Sequence, residues 1–177
     1  STHVQIATSQ GVVETSVDVP GSFMAHNICA TVAVGVAAGI PLDIISRGIQ
    51  RYQPVGMRMR VENVDNITVI NDAYNANPLS MKAALDTIFQ HPSSNKVAFL
   101  GDMLEMGTAE HKSHCEVLRH ALTGDIKLGL VGPRFNRALE DIRLTVDTSA
   151  VLWSVENVDD LETVTERFDF SLVLLKG

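Results

Sequence analysis

The stretch Ile67-Thr68-Val69-Ile70-Asn71-Asp72-Ala73-Tyr74-Asn75-Ala76-Asn77-Pro78 places a short apolar run directly before a cluster of polar side chains. The run is too short for a helix of its own and consists of residues that suit a buried strand. Asn77-Pro78 is typical of a helix start, because the amide caps the first turn and proline suits the first helical position. Helical spacing then relates Met81, Ala84, Leu85 and Ile88. The stretch therefore predicts a β-α unit whose strand ends in a polar turn.

The same β-α unit recurs along the rest of the chain. Further short apolar runs lie at 97–100, 128–131 and 172–175, and helical stripes lie between them. The stripes consist of Val117, Leu118, Ala121 and Leu122 and, later, of Val158, Leu161, Val164 and Phe168. This alternation predicts an α/β fold with a Rossmann-like, mostly parallel, doubly wound sheet flanked by helices.

Each of the four predicted strands runs into a polar or glycine-containing turn at its carboxyl end. The turns are Asn71-Asp72, Gly101-Asp102-Met103, Gly132-Pro133-Arg134 and Lys176-Gly177. Ligands of open α/β sheets bind outside the carboxyl ends of the strands. Ordinary βα turns also use glycine and aspartate, so a single turn leaves both interpretations open. Four such turns with charged or amide side chains favour a binding site.

The first 55 residues do not show this alternation of strand and helix. Alternating residues on both sides of Ser9-Gln10-Gly11 predict a strand hairpin, which Pro20-Gly21 ends. Apolar spacing predicts two helices after it, and the second begins at Pro41. Gln53-Pro54-Val55-Gly56 ends the second helix, and we interpret it as a domain boundary. The sequence therefore predicts two parts, 1–55 and 56–177.

Composition disfavours several classes of protein. The chain has 21 acidic and 14 basic residues and a net charge of −7, so a surface that neutralises nucleic-acid phosphates is not expected. No apolar run is long enough to span a bilayer, and no targeting peptide is visible at the first residues. Cys29 and Cys115 are far apart and form no pairing or zinc motif, which fits a reducing compartment.

The two histidines His111 and His114 raise the question of a metal site. No third ligand has suitable spacing, so no metal site is expected in this chain. His114 lies on the same predicted helical stripe as Val117 and Leu118, which indicates a hydrogen-bonded histidine in the core.

Two motifs carry a family resemblance. Residues 71–85 resemble the nucleotide-contacting motif that opens the C-terminal domain of Mur ligases, with Asn75 where sister ligases tend to place a histidine. Leu100-Gly101-Asp102-Met103-Leu104-Glu105-Met106-Gly107 is similar to a Gly-Asp-Met-x-Glu-Leu-Gly segment of the same family, and His114 matches a histidine found there. Both motifs have the form typical of the members that add D-alanyl-D-alanine.

Weaker resemblances extend over most of the chain. Pro20-Gly21 and Asn27 resemble the end of the family's central ATPase domain, with Phe23-Met24 where a His-Asn pair is expected. Gly56-Met57-Arg58 resembles the interdomain hinge with one inserted residue, and Lys176-Gly177 resembles the start of a Lys-Gly-Ser-Arg turn. The resemblance therefore implies that 1–55 is the C-terminal part of the central domain and that 56–177 is the C-terminal domain, truncated at its end.

The resemblance also implies a reaction. Such a ligase uses ATP and Mg²⁺ to join D-Ala-D-Ala to UDP-N-acetylmuramoyl-tripeptide through an acyl phosphate, in the synthesis of peptidoglycan precursors. Most phosphate and metal ligands would lie upstream of residue 1. The implied location is the bacterial cytoplasm or, for a plant protein, the plastid stroma.

Individual residues receive roles from the same resemblance. The implied catalytic residues are Arg58 and Asp72. A guanidinium suits phosphate because its fork can hold two oxygens at once. The implied nucleotide-binding residues are Asn27, Arg58, Asp72, Tyr74 and Asn75, and the implied substrate-binding residues are Asn77, Asp102, Glu105 and Lys176.

The sequence contains no Gly-x-x-x-x-Gly-Lys-Ser/Thr loop to cradle ATP phosphates, so residues 1–177 alone are expected to be inactive. An alternative is a non-catalytic Mur-like module that binds a nucleotide or a partner protein. The substitutions at Phe23, Met24 and Asn71 favour this alternative, whereas the two retained motifs oppose it. A dinucleotide-dependent dehydrogenase is disfavoured, because no Gly-x-Gly-x-x-Gly turn follows any predicted strand.

Overall fold

The fold is described from a computed structural model, which describes residues 1–163 and 170–177. The chain divides into two compact units, Ser1–Val55 and Gly56–Gly177. The division falls in the Pro- and Gly-containing segment at which the sequence predicts a boundary.

The first unit is a strand hairpin with two helices. Strands β1 (Thr2–Thr8) and β2 (Gly11–Val17) pair antiparallel, and helices α1 (Phe23–Ala37) and α2 (Leu42–Gln50) follow. Alternate residues of β2 point into a small core that both helices complete. The buried side chains of this core include Val13, Val17, Met24, Ile28, Val32, Ile45 and Ile49. The predicted hairpin and both predicted helices are thus confirmed.

The second unit is a six-stranded sheet. Its strands are β3 (Arg60–Val64), β4 (Ile67–Asp72), β5 (Lys96–Gly101), β6 (Lys127–Val131), β7 (Val151–Val155) and β8 (Leu172–Lys176). They lie in the order β3-β4-β8-β5-β6-β7. All neighbours pair parallel except β3 and β4, which are antiparallel. The predicted α/β class with a mostly parallel sheet is confirmed.

Within the described residues, three α-helices connect parallel strands of the second unit. They are α3 (Pro78–Phe89), α4 (Glu110–Ala121) and α5 (Pro133–Ile142), and they pack in that order, α3 against α4 and α4 against α5. Apolar side chains of the inner strands are buried in the core that these helices share with the sheet. The buried strand residues include Ile70, Ala98, Leu100, Leu128, Leu130, Leu172 and Leu174. Because the four predicted strands are the central ones, they read as continuous apolar runs.

Two strands and one helix of the second unit are not among the elements that the sequence predicts, and one predicted helical stripe begins as a different kind of helix. β3 and β7 are the edge strands of the sheet. β3 is largely exposed and carries no apolar run, whereas β7 begins with the run Val151-Leu152-Trp153, which was not singled out as a strand. Helix α5 begins at Pro133, which the sequence reading assigned only to a turn. The predicted stripe from Val158 onward begins as a 3₁₀ helix, Val158–Thr163, and its later positions Val164 and Phe168 lie outside the described residues.

None of the helices in the described part of the chain combines the length and the apolar character needed to cross a membrane.

Candidate functional site

The predicted site residues of the second unit gather at one edge of its sheet. Parallel strands β4, β8, β5 and β6 are consecutive neighbours, so their carboxyl ends meet at this edge. The ends of β8 and β5 approach so closely that a Cβ at Gly101 would lie 3.0 Å from Cα of Gly177. Two polar clusters flank this contact, one around Asp72 and one around Asp102.

The Asp72 cluster contains a buried lysine. Nζ of Lys176 lies 3.1 Å from Oδ2 of Asp72 and also donates a hydrogen bond of 3.1 Å to the Asp72 carbonyl. A third bond goes to the carbonyl of Asn75. The Lys176 side chain is 2% exposed and that of Asp72 is 15% exposed. The lysine therefore joins the end of β4 to the turn that follows it.

The other carboxylate oxygen of Asp72 holds the segment before β3. Oδ1 accepts a hydrogen bond of 3.0 Å from the amide of Met59, a buried residue in the left-handed conformation with φ 51°. The amide of Tyr74 donates a bond of 3.1 Å to the carbonyl of Met57. Arg58 lies between Met57 and Met59, whose backbone groups are both held by these hydrogen bonds. Its guanidinium carbon lies 4.1 Å from the ring centroid of Tyr74, a cation–π contact.

The amides of the turn serve mainly its backbone. Oδ1 of Asn75 accepts a hydrogen bond of 2.8 Å from the amide of Ala76. Asn77 and Ser80 form a reciprocal capping box at the start of α3, so the predicted helix start at Asn77-Pro78 is confirmed. Substrate contact by Asn77 and nucleotide contact by Asn75 remain predictions.

In the Asp102 cluster, the side chain of Asp102 at the end of β5 caps helix α5, which follows the neighbouring strand β6. Oδ2 of Asp102 accepts from the amide of Arg134, and Oδ1 accepts from the amide of Phe135, each at 3.0 Å. These amides lie in the first turn of α5, which has no partner for them within the helix. Gly132 precedes the turn with φ 122°, and a Cβ there would lie 2.3 Å from the Asp102 carboxyl carbon. Only glycine allows this approach.

Arg134 links the Asp102 cluster to α4. Its Nη1 lies 3.3 Å from Oδ2 of Asp102, and its Nε donates a bond of 2.6 Å to Oε2 of Glu110. The hydrogen bond from Arg134 lowers the pKa of Glu110, and the hydrogen bond to Glu110, helped by Asp102, raises the pKa of Arg134. The carboxylate of Asp102 is thus shared between a helix start and an arginine, with its side chain 9% exposed.

His114 holds the backbone of the turn after β5 through a hydrogen bond to Met103. Its ring is fully buried, Nε2 lies 3.0 Å from the amide of Met103, and Nδ1 lies 2.7 Å from the carbonyl of Glu110. The ring meets Phe135 edge-on, with centroids 4.8 Å apart. The prediction of a hydrogen-bonded core histidine is confirmed.

Two predicted site residues lie outside both clusters. Asn27 is exposed on α1 of the first unit, where its amide contacts Sδ of Met24 at 3.7 Å. Glu105 is exposed and left-handed, with φ 60°, in the loop after β5. Their roles in binding nucleotide and substrate remain predictions.

The sequence reading did not single out Met59, Glu110 or Arg134 as parts of these clusters. Met59 and Glu110 take part through tertiary contacts that no local pattern indicates. For Arg134 a signal existed, because Gly132-Pro133 is a good helix start. A helix beginning there places the next amides at the carboxyl end of β6, within reach of an acid at the end of β5.

Comparison with known proteins agrees with these motifs. The family model of the Mur ligase, glutamate ligase domain, matches residues 57–176. The UDP-N-acetylmuramoyl-tripeptide--D-alanyl-D-alanine ligase of Treponema pallidum (strain Nichols) is 34% identical over 165 residues, which make up 91% of this chain and 35% of that protein. The chain thus spans little more than a third of that relative's length.

Solved structures show the same likeness. A crystal structure of MurF from Acinetobacter baumannii matches 98% of this chain and 38% of its own, with a TM-score of 0.81 and 25% identity. MurF ligase from Thermotoga maritima in complex with ADP matches 99% of this chain and 39% of its own, with a TM-score of 0.80. At 17% identity, this second match is a likeness of fold alone. From the family model and the two retained motifs, we conclude that the chain belongs to the Mur ligase family.

Proposed function

We propose that this chain is the carboxyl-terminal part of an ATP-dependent ligase that joins D-Ala-D-Ala to UDP-N-acetylmuramoyl-tripeptide. The observation that carries the proposal is the meeting of the two family motifs at one sheet edge, with Lys176-Gly177 between them. The Treponema pallidum relative, whose name gives this reaction, matches 91% of the chain. Because the chain spans 35% of that relative, the activity belongs to the complete polypeptide.

The proposed chemistry overcomes the poor electrophilicity of a carboxylate. An oxygen of the tripeptide carboxylate attacks the γ-phosphorus of ATP, which forms an acyl phosphate and releases ADP. The amine of D-Ala-D-Ala then attacks the acyl carbon, loses a proton and expels inorganic phosphate. Holding the anions together requires positive charge near the phosphates. Arg58 is the residue of the second unit to which we assign this task.

The nucleotide would lie over the Asp72 cluster. Asp72 is suited to accept hydrogen bonds from ribose hydroxyls, because its carboxylate is held rigidly and remains partly exposed. Tyr74 holds Arg58 through the contact of its ring face. Asn75 would approach the base. Closure of the unit over ATP would exclude water from the acyl phosphate.

The dipeptide would lie near the Asp102 cluster. Glu105 is exposed there and is free of the capping task that occupies Asp102. Asp102 and Asn77 would shape the pocket through the backbone that they hold. Among residues 1–163 and 170–177, no group of three histidine, cysteine or acidic side chains could hold a metal ion, so we assign no Mg²⁺ ligand to this part of the protein. We place the reaction in the cytoplasm.

The test uses the full-length protein with ATP, Mg²⁺, UDP-N-acetylmuramoyl-tripeptide and D-Ala-D-Ala. Phosphate release should require the dipeptide and should be lost in Asp72→Ala and in Arg58→Ala. Arg60→Ala is the matched control, because Arg60 is an exposed arginine two residues away that pairs with Glu62 on β3. Phosphate release that ignores the dipeptide, or its absence from folded protein, would favour the non-catalytic binding module.

A further inference from the structure

Lys176 has no donor left for a substrate. An ammonium group carries three N–H donors, and the three neighbours of Nζ are the Asp72 carboxylate, the Asp72 carbonyl and the Asn75 carbonyl. The side chain is 2% exposed. A buried cation needs such complete pairing, because an unpaired charge in the protein interior is costly. These contacts turn the ammonium of Lys176 towards the protein, and a direct contact of Lys176 with substrate remains a prediction.

The oxygens that Lys176 holds belong to the nucleotide-contacting turn. One N–H group orients the carboxylate of Asp72, and the other two fix the backbone at Asp72 and Asn75. The same carboxylate holds the amide of Met59. Arg58 precedes Met59 and rests on Tyr74. A chain of direct contacts therefore runs from Lys176 through Asp72 to the segment that carries Arg58.

We propose that Lys176 is a positioning residue, which acts through Asp72 to set the ribose-binding carboxylate and the Arg58 segment for the nucleotide. This inference rests on the proposed function for the identity of the ligand. Lys176 reaches the site from the last residue of β8, the strand between the two motif-bearing strands β4 and β5. A residue of β8 thereby contacts a turn that lies more than 100 residues earlier in the sequence.

The chain offers a close control in Lys96. It is also a buried lysine whose Nζ donates to two carbonyls, those of Phe89 and His91, at 3.1 and 3.3 Å. It begins β5, next to the first residue of β8, and so lies at the amino edge of the same sheet. Loss of either lysine removes a buried cation, but only Lys176 touches the proposed nucleotide site.

The experiment is a double-mutant cycle on ADP affinity in the full-length protein, measured by equilibrium titration without turnover. Lys176→Met should weaken ADP binding about tenfold, within the range found for coupled neighbours. In an Asp72→Asn background, the same change should alter the affinity clearly less than tenfold, because the carboxylate that Lys176 orients is gone and only the bonds to the two carbonyls remain. Lys96→Met should leave ADP affinity unchanged even where it lowers thermal stability.

Lys176→Arg keeps the cycle usable if Lys176→Met fails to fold, since arginine retains the charge but presents a planar fork to the three oxygens. Lys176→Arg should also weaken ADP binding. The double variant Lys176→Met/Asp72→Asn removes both charges together and so leaves neither unpaired. Unchanged ADP affinity with a raised KM for tripeptide or dipeptide would assign Lys176 a direct substrate contact and overturn the inference. Equal and additive losses from Lys176 and Asp72 changes would also overturn it.

Failure of this inference and failure of the proposed ligase are separable. If the wild-type protein binds ADP and the mutant cycle shows the coupling, but the wild type releases no phosphate with the dipeptide, the ligase is contradicted and the positioning role is supported. If the wild-type protein shows dipeptide-dependent turnover but the mutant cycle shows no coupling, only the positioning role is contradicted. A wild-type protein that binds no ADP overturns the inference, because there is then no nucleotide site to position.

Discussion

Nε2 of His114 accepts a hydrogen bond of 3.0 Å from the backbone amide of Met103 in the core of the second unit. An amide N–H can only donate, so Nε2 must carry a lone pair. The carbonyl of Glu110, 2.7 Å from Nδ1, can only accept, so the proton lies on Nδ1. The two backbone partners thus select the neutral Nδ1–H tautomer.

The first prediction concerns this ring. His114→Phe keeps an aromatic side chain against Phe135 but leaves the Met103 amide without its acceptor, so it should lower the free energy of unfolding by about 1–3 kcal/mol. His114→Ala adds a cavity and should cost roughly 3–5 kcal/mol. Urea unfolding measures both. His120→Ala is the control, because His120 makes a partly exposed pair with Asp86, and a loss as large as that of His114→Ala would contradict the assigned role.

The second prediction concerns the contact of Arg58 with Tyr74. Tyr74→Phe keeps the aromatic face and should leave the KM for ATP within about twofold of the wild type. Tyr74→Leu removes the face and should raise that KM roughly two- to fivefold, the equivalent of an exposed cation–π contact. Initial-rate kinetics of the full-length protein measure the effect. In an Arg58→Met background, where no turnover is expected, the two Tyr74 variants should bind ADP with the same affinity in an equilibrium titration. A persistent difference would mean that Tyr74 contacts the nucleotide itself.

The third prediction concerns the cap of α5. Asp102→Ala removes the acceptor for two amides of the first helical turn and should lower the free energy of unfolding by about 2–4 kcal/mol. Asp102→Asn keeps one acceptor oxygen and should cost about half as much. Asp141→Ala, which removes an exposed partner of His111, should cost less than about 1 kcal/mol. Equal losses for Asp102→Ala and Asp141→Ala would contradict the capping role.

The fourth prediction compares two glycines with positive φ. Gly132, with φ 122° and ψ 149°, lies in a backbone region almost restricted to glycine, where Ala costs about 1–3 kcal/mol. Ala at Gly107 meets the left-handed strain of about 1–2 kcal/mol. Gly107 has φ 54° and open space around it, so Gly107→Ala should cost only this amount. Gly132→Ala also brings a Cβ to 2.3 Å from the Asp102 carboxyl carbon and should cost at least about 2 kcal/mol more. Denaturant unfolding measures the difference, and equal costs would show that the carboxylate can move aside freely.

The fifth prediction concerns acid stability. Because the bond from Arg134 lowers the folded-state pKa of Glu110, the unfolded chain binds a proton more readily there. The stabilisation is present above the unfolded pKa of about 4.3 and is lost as the pH falls through the lower folded value. Glu110→Gln should therefore flatten the fall in stability below about pH 5.

Urea unfolding from pH 7 to pH 3 measures this slope. In an Arg134→Met background, Glu110→Gln should change the slope much less, because the cause of the lowered pKa is absent. A flattening that is equally large without Arg134 would assign the effect to another group.

Much of the fold could be predicted from local patterns. The four central strands are short apolar runs because both of their faces are covered, and a helix cap such as Asn77-Pro78 involves only neighbours in sequence. The edge strand β3 could not be found in this way, since exposure removes the apolar pattern, whereas Val151-Leu152-Trp153 of β7 is a short apolar run that could have been recognised. Strand order also lay outside the reach of the patterns, because nothing local tells β8 to insert between β4 and β5.

The sequence by itself determined the class of fold, the family and the identity of the polar turns, because these depend on residue types and spacing along the chain. Only the tertiary structure decided what the polar side chains do. Lys176 and Asp72 are 104 residues apart, and their pairing exists because β8 lies beside β4. Asp102 caps α5 because β5 lies beside β6. A side chain that a motif marks as functional can be occupied by a distant neighbour, and only the packing of strands specifies that neighbour.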